Sequence, residues 1–187
     1  MGDPTTAMRE AEELDRAVYA AIATVPTPTL DRVLGGLSRA ADHSRLWLSI
    51  AGAMAIGGGR QGRRAAALGT AAIGLSSAVV NVAIKPVARR PRPDRVGLRV
   101  PLARHVPMPL SRSFPSGHSA SAFAFATAAG HELPAVGLPL RGLAALVAYS
   151  RVHTGVHYPG DVMAGSLLGG TVAGTLVALR HAADRRR

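Results

Sequence analysis

Three short clusters in the chain gather residue types that bind and transfer phosphate. The first is Lys85-Pro-Val-Ala-Arg-Arg-Pro-Arg92-Pro93, the second Pro115-Ser116-Gly117-His118, and the third runs from Ser150-Arg151 through His157 to Asp161. Lys85, Arg92 and Arg151 supply three cations, two of them guanidiniums whose forked donors suit phosphate oxygens. Ser116 and Gly117 precede an apolar run that reads as a helix. Their backbone N–H groups, the serine hydroxyl and the helix dipole form an anion nest. His157 stands four residues before Asp161, across a Pro-Gly turn. A carboxylate there can hold one imidazole nitrogen protonated and leave the other free to attack phosphorus. His118, beside the nest, can protonate the departing oxygen. Together these groups suffice for phosphoryl transfer, with the cations doing the electrostatic work that Mg²⁺ performs elsewhere.

Each cluster lies where an uncharged stretch meets a polar loop. Ala65 to Ile84 gives twenty residues without a charge, about the length that crosses a hydrocarbon core. Lys85 to Gly117 is rich in Pro and Arg, and its prolines exclude a continuous helix. Ser119 to Gly130 is apolar and helical in pattern. Pro134 and Pro139 punctuate the next connection, and Gly142 to Ser150 forms another helical run. Tyr158-Pro159-Gly160 is a turn, and Val162 to Leu179 supplies eighteen uncharged residues before a basic tail. If these helices run antiparallel, all three clusters meet on one side of a bundle.

Upstream, Leu46 to Gly59 is uncharged and closes in the basic turn Arg60 to Arg64. Residues 1–29 read as an amphipathic or interfacial segment, with Leu14, Val18, Ala21, Ile22 and Val25 at helical spacing and Pro26 and Pro28 ending it. A second short amphipathic piece runs from Leu30 to Leu37. No alternating strand pattern of useful length is present. The expected fold is all-α: a membrane-embedded helical bundle of about five helices over residues 30–180, a short amphipathic N-terminal helix, and a basic tail at 181–187. A soluble helical bundle is the alternative.

Composition agrees without deciding. Hydrophobic residues make up 48%, aromatics only 4%, and Gly reaches 21 residues, so the apolar content is small, as where helices pack closely in a bilayer. Mean hydropathy is only +0.18, which leaves the membrane question open on composition alone. A net charge of +11 predicts an anionic partner. Nucleic acid is disfavoured, because stacking aromatics are scarce and the basic residues cluster at the three motifs. Cysteine is absent, so disulfides and thiolate metal sites are excluded. Asp3, Glu10, Glu12 and Glu13 precede any apolar run, the wrong charge pattern for a cleaved signal peptide.

Lys-x₆-Arg-Pro, Pro-Ser-Gly-His and Ser-Arg-x₅-His-x₃-Asp resemble the three signature motifs of the type-2 phosphatidic acid phosphatase superfamily, which also holds bacterial acid phosphatases and vanadium haloperoxidases. All eleven fixed positions match, in order. The resemblance implies that Lys85, Arg92, Arg151, Ser116 and Gly117 bind the substrate phosphate. It makes His118 the general acid, His157 the nucleophile and Asp161 its partner. It also implies a lipid phosphate or diphosphate substrate, a phosphohistidine intermediate, and no metal or other cofactor. The wording around Ala41-Asp42-His43-Ser44 and Leu46-Trp47-Leu48 is similar to actinobacterial members fused to a lipid-kinase domain, although this sequence has no kinase segment.

Arg60 to Arg64 and the basic tail share one side if each span crosses once, which fits a cytoplasmic face. The catalytic loops then lie on the extracytoplasmic side of the cell membrane. Arg89, Arg90, Arg95, Arg99, Arg104 and Arg112 read as solvated or facing lipid head groups. Trp47 reads as an interfacial residue, His153 as supporting the site, and residues 94–114 as a lid or entry loop. The Gly165 to Gly174 stretch reads as a helix-packing surface. A vanadium-dependent haloperoxidase and a non-enzymatic lipid-phosphate binder are the rival readings.

Overall fold

The computed structural model describes residues 3–186; residues 1, 2 and 187, at the outer ends of the expected N-terminal segment and basic tail, lie outside it. Among the described residues it contains seven α-helices and no strand. These are α1 (Pro4–Thr24), α2 (Pro28–Ala40), α3 (Arg45–Gly57), α4 (Gly59–Ala78), α5 (Gly117–Glu132), α6 (Pro134–His153) and α7 (Pro159–Asp184). A π-helical turn, Val79–Ile84, continues α4. The short amphipathic piece expected at Leu30 to Leu37 is a full helix, α2. It gives six helices after α1 rather than about five. Pro139 lies inside α6 rather than in a connection. It stands near the helix start, where its missing N–H costs a single bond back to the first turn.

Helix α5 is the axis of the bundle, flanked by α4, α6 and α7. Its sequence explains this: Ala120, Ala122, Ala124, Ala126, Ala128 and Ala129 are all fully buried, so neighbours approach on every side. On α7, a Cβ at Gly165 would lie 2.4 Å from Ser116 O, and one at Gly169 would lie 2.0 Å from Ala120 O. The Gly165 to Gly174 stretch therefore packs α7 against α5, as expected, through Gly165 and Gly169; Gly170 and Gly174 face open space. Trp47 corrects the interfacial expectation. It is 1% exposed and stacks obliquely on Phe125, because so small-residued a core needs a large side chain to fill it.

Among the described residues, two helices are long and apolar enough to cross a membrane: Gly59–Ile84, which is α4 with its π turn, and α7. Helix α4 starts beside the end of α5, where Gln61 Nε2 donates to Glu132 O at 2.7 Å, and α7 ends there too, with Arg180 paired to Glu132 at 2.8 Å. The basic turn at Arg60 to Arg64 and the end of α7 therefore share one end of the bundle. Lys85, Gly117, Arg151 and Asp161 stand at the other.

Candidate active site

The helix boundaries bring the three clusters together as expected. The π turn ends at Ile84, α5 begins at Gly117, α6 ends at His153 and α7 begins at Pro159. Asp161 sits in the first turn of α7, where a carboxylate complements the helix dipole. Its Oδ2 accepts from Tyr158 N at 2.9 Å and from Ser113 Oγ at 2.5 Å. His157 Nδ1 lies 3.6 Å from that same oxygen. Both residues are buried, at 2% and 0% exposure.

On the other side of the ring, Arg92 NH1 lies 3.2 Å from His157 Nε2. A guanidinium only donates, so Nε2 must present its lone pair and the ring proton must sit on Nδ1, facing Asp161 and Ser113. Burial pushes the His157 imidazole down to about 3, which keeps the ring neutral and nucleophilic at ordinary pH. Arg92 itself is held by Val156 O at 2.7 Å and Ser111 O at 2.9 Å.

The other predicted cations stand nearby. Lys85 Nζ donates to Ser111 Oγ at 3.1 Å, and Arg92 NH2 reaches the same hydroxyl at 3.3 Å. Burial, and then the Arg92 charge, lower Lys85 from its ordinary value. Arg151 is 1% exposed; its NH1 donates to Ser38 Oγ at 2.5 Å and lies 3.5 Å from Asp42 Oδ1. Its Nε is buried with no partner among the described residues. A buried, unpaired guanidinium donor is costly, and an anion in the site would satisfy it.

The anion nest is narrower than its sequence suggested. Ser116 N donates to Asp161 O at 2.9 Å, and Ser116 Oγ caps α5 by accepting from Ser119 N at 3.4 Å. The Ser116 N–H thus ties α5 to α7, which leaves its hydroxyl proton and the N–H of Gly117 as the donors at the helix start. His118 follows, with Nε2 2.8 Å from Asp42 Oδ1. That bond holds the Asp42 carboxyl below its ordinary value. With Nε2 bound to Asp42, Nδ1 is the nitrogen that can exchange a proton with a substrate.

Several contributors had no spacing signal. Asp42 lies in the turn before α3, far from every motif. Arg90 was expected to be solvated, yet it is half-buried: NH1 donates to Asp161 Oδ1 at 2.9 Å, NH2 to Asp15 Oδ2 at 2.5 Å, and the guanidinium stacks 4.4 Å from the Tyr158 ring centre. Arg104 departs further. It is fully buried, with Nε donating to Asp31 Oδ1 at 2.7 Å and NH2 to Val25 O. His153 Nε2 meets the same Asp31 oxygen at 2.8 Å. Arg104 is buried because the loop at 94–114 folds back over α1 and α2, where the helix-end carbonyls and Asp31 take its donors, whereas Arg90, just before that loop, bridges Asp15 of α1 and Asp161 of α7. Arg89, Arg99 and Arg112 are exposed, as expected. The loop carries Ser111 and Ser113 into the site as fixed parts of its wall.

Comparison with known proteins agrees with this arrangement. The model of the PAP2 superfamily matches residues 65–185. The decaprenylphosphoryl-5-phosphoribose phosphatase of Mycobacterium tuberculosis strain H37Rv is 34% identical over 183 residues, covering 95% of this chain and 98% of that one. The Mycolicibacterium smegmatis protein of the same name is 36% identical over 156 residues, covering 80% of this chain and 77% of the relative. Among solved structures, the transmembrane PAP2-type phosphatidylglycerolphosphate phosphatase of Bacillus subtilis superposes with a TM-score of 0.71 at 25% identity, covering 95% of this chain and 90% of that one. Aquifex aeolicus LpxE superposes with a TM-score of 0.72 at 28% identity, covering 87% and 93%.

Proposed function

The chain is a membrane phosphatase belonging to the PAP2 superfamily, and from that premise we propose that it hydrolyses a lipid phosphate or diphosphate through a phosphohistidine on His157, without a metal ion. His157 Nε2 attacks phosphorus, the bond to the leaving oxygen breaks, and His118 gives that oxygen its proton. Water, giving a proton back to His118, then attacks the phosphohistidine; phosphate departs and Nε2 recovers its lone pair. Asp161 and Ser113 hold the Nδ1 proton, while Lys85, Arg92, Arg151 and the Gly117 N–H neutralise the phosphoryl oxygens.

The observation that carries this reading is the 3.2 Å approach of Arg92 to His157 Nε2, which gives the nucleophile its tautomer and sets a phosphate-binding cation beside it. Metal independence is supported by the donor set: three cations surround the centre, and its carboxylates are already engaged by Arg90, Ser113 and His118. The mycobacterial relatives are named for a decaprenyl-linked phosphoribose, which makes a polyprenyl sugar phosphate the first substrate to try. The site opens on the extracytoplasmic side, a placement supported by the basic end of the bundle opposite it.

Purified protein in detergent should release phosphate from a lipid phosphate with EDTA present, and His157→Ala should lose at least about a thousandfold in kcat. Loss of the parent's activity on chelation, restored by one divalent ion, would overturn the metal-independent reading.

A further inference from the structure

A polar chamber of about 190 Å³ adjoins the site, and Lys85, Gly117 and His118 line its wall. The rest of the lining is Ser77 from α4, Asn81 from the π turn, Ser121 from α5, and Ala41, His43 and Ser44 from the turn before α3, with Trp47 beside them. By contrast, a larger apolar cavity of about 460 Å³, between α1, α6 and α7, is lined by none of the site residues.

The polar lining is built. Ser77, Asn81 and Lys85 follow at four-residue steps, which on a regular α-helix would drift about 40° per step around the axis. The π turn, with Lys85 N–H bonded to Val80 O at 2.9 Å, widens the helix there and keeps the three on one face. Asn81 interrupts an otherwise apolar stretch, where an amide facing lipid is costly. Its Nδ2 donates to Ser77 O at 2.9 Å and Ser77 Oγ at 3.1 Å, while its Oδ1 takes no bond among the described residues. Opposite, His43 and Ser44 both hold left-handed backbone, at φ 54° and 59°, a strained turn that persists only where its surroundings impose it.

In an in-line displacement the leaving oxygen lies opposite His157 and beside His118, so the leaving group departs into the space that His118 lines. We propose that this chamber is the leaving-group subsite and that it binds a hydroxylated ring, a sugar, with Ser77 and Asn81 as its specificity-determining residues. The inference rests on the phosphatase reading above and deepens it. Its polar walls would leave a hydrocarbon leaving group facing unpaired amide and hydroxyl groups, whereas sugar hydroxyls would pair with them.

Two probes separate these outcomes: farnesyl phosphate, whose isoprenoid is bonded directly to the scissile phosphate, and a farnesylphosphoryl-ribose 5-phosphate, whose scissile phosphate leaves a sugar. The parent should prefer the sugar-linked probe by about tenfold or more in kcat/KM. Asn81→Ala and Ser77→Ala should each cut that ratio severalfold, read as a ratio within one preparation so that partial unfolding cancels. Equal turnover of the two probes by the parent, or an unchanged ratio in both variants, overturns the subsite. No phosphate release by the parent from either probe overturns the phosphatase reading itself.

Discussion

The proposed mechanism gives the two imidazoles of this site opposite duties, and their neighbours differ in the matching sense. His157 meets a guanidinium at one nitrogen and a carboxylate near the other. His118 meets Asp42 at Nε2 and faces the polar chamber. An anion beside His118 favours the imidazolium that an acid must be. Asp42→Asn should therefore lower kcat by tenfold or more and move the alkaline limb of the kcat pH profile to lower pH, as a pH–rate series would show. A purely structural Asp42 would lower activity without moving that limb. His157 also makes stability depend on pH. Its folded value of about 3 lies below the ordinary 6.5, so between those values the unfolded state binds the extra proton. Stability from this group is complete above about 6.5 and is lost as pH falls toward 3. Thermal melts in detergent should show Tm falling through that window, with a shallower fall in His157→Gln.

At the scale of elements, what positions these side chains is mostly close approach. Gly165 and Gly169 let α7 lie against the start of α5, so that Asp161 O can take the Ser116 N–H and the two motifs share one register. A Cβ at Gly169 would overlap the α5 backbone at 2.0 Å, and the helices would have to part. Gly169→Val should cost several kcal/mol, of the order seen for overpacked cores, and lower activity by displacing His118 relative to His157. Gly170→Val, which meets nothing within 4 Å, is the matched control and should retain both. Unchanged activity and Tm in Gly169→Val would show that this seam does not set the site.

Across the whole molecule, the parts legible in the sequence were those written locally. Lys85, His118, Arg151, His157 and Asp161 lie at or within two residues of helix boundaries, which prolines or charges mark directly, and Arg92 stands in the Pro- and Arg-rich loop between two of them. Asp42, Arg90 and Arg104 were not legible. Their roles come from the α2–α3 turn and the long loop between the π turn and α5 folding onto distant helices, pairings separated by 71 to 76 residues. No periodicity encodes such pairings. The two ends of the bundle, in contrast, follow from helix order alone. With no cysteine in the chain, single substitutions report sidedness. Arg112→Cys should react with an impermeant maleimide in intact cells, and Arg64→Cys only after permeabilisation; the reverse pattern would place the site inside.

The most direct measurement is a rapid quench into alkali of enzyme mixed with a lipid phosphate carrying a labelled terminal phosphoryl group, followed by peptide mapping. The account predicts acid-labile, alkali-stable label on the peptide containing His157, forming before free phosphate and absent in His157→Ala. Free phosphate appearing with no labelled peptide, or label on another residue, would contradict it.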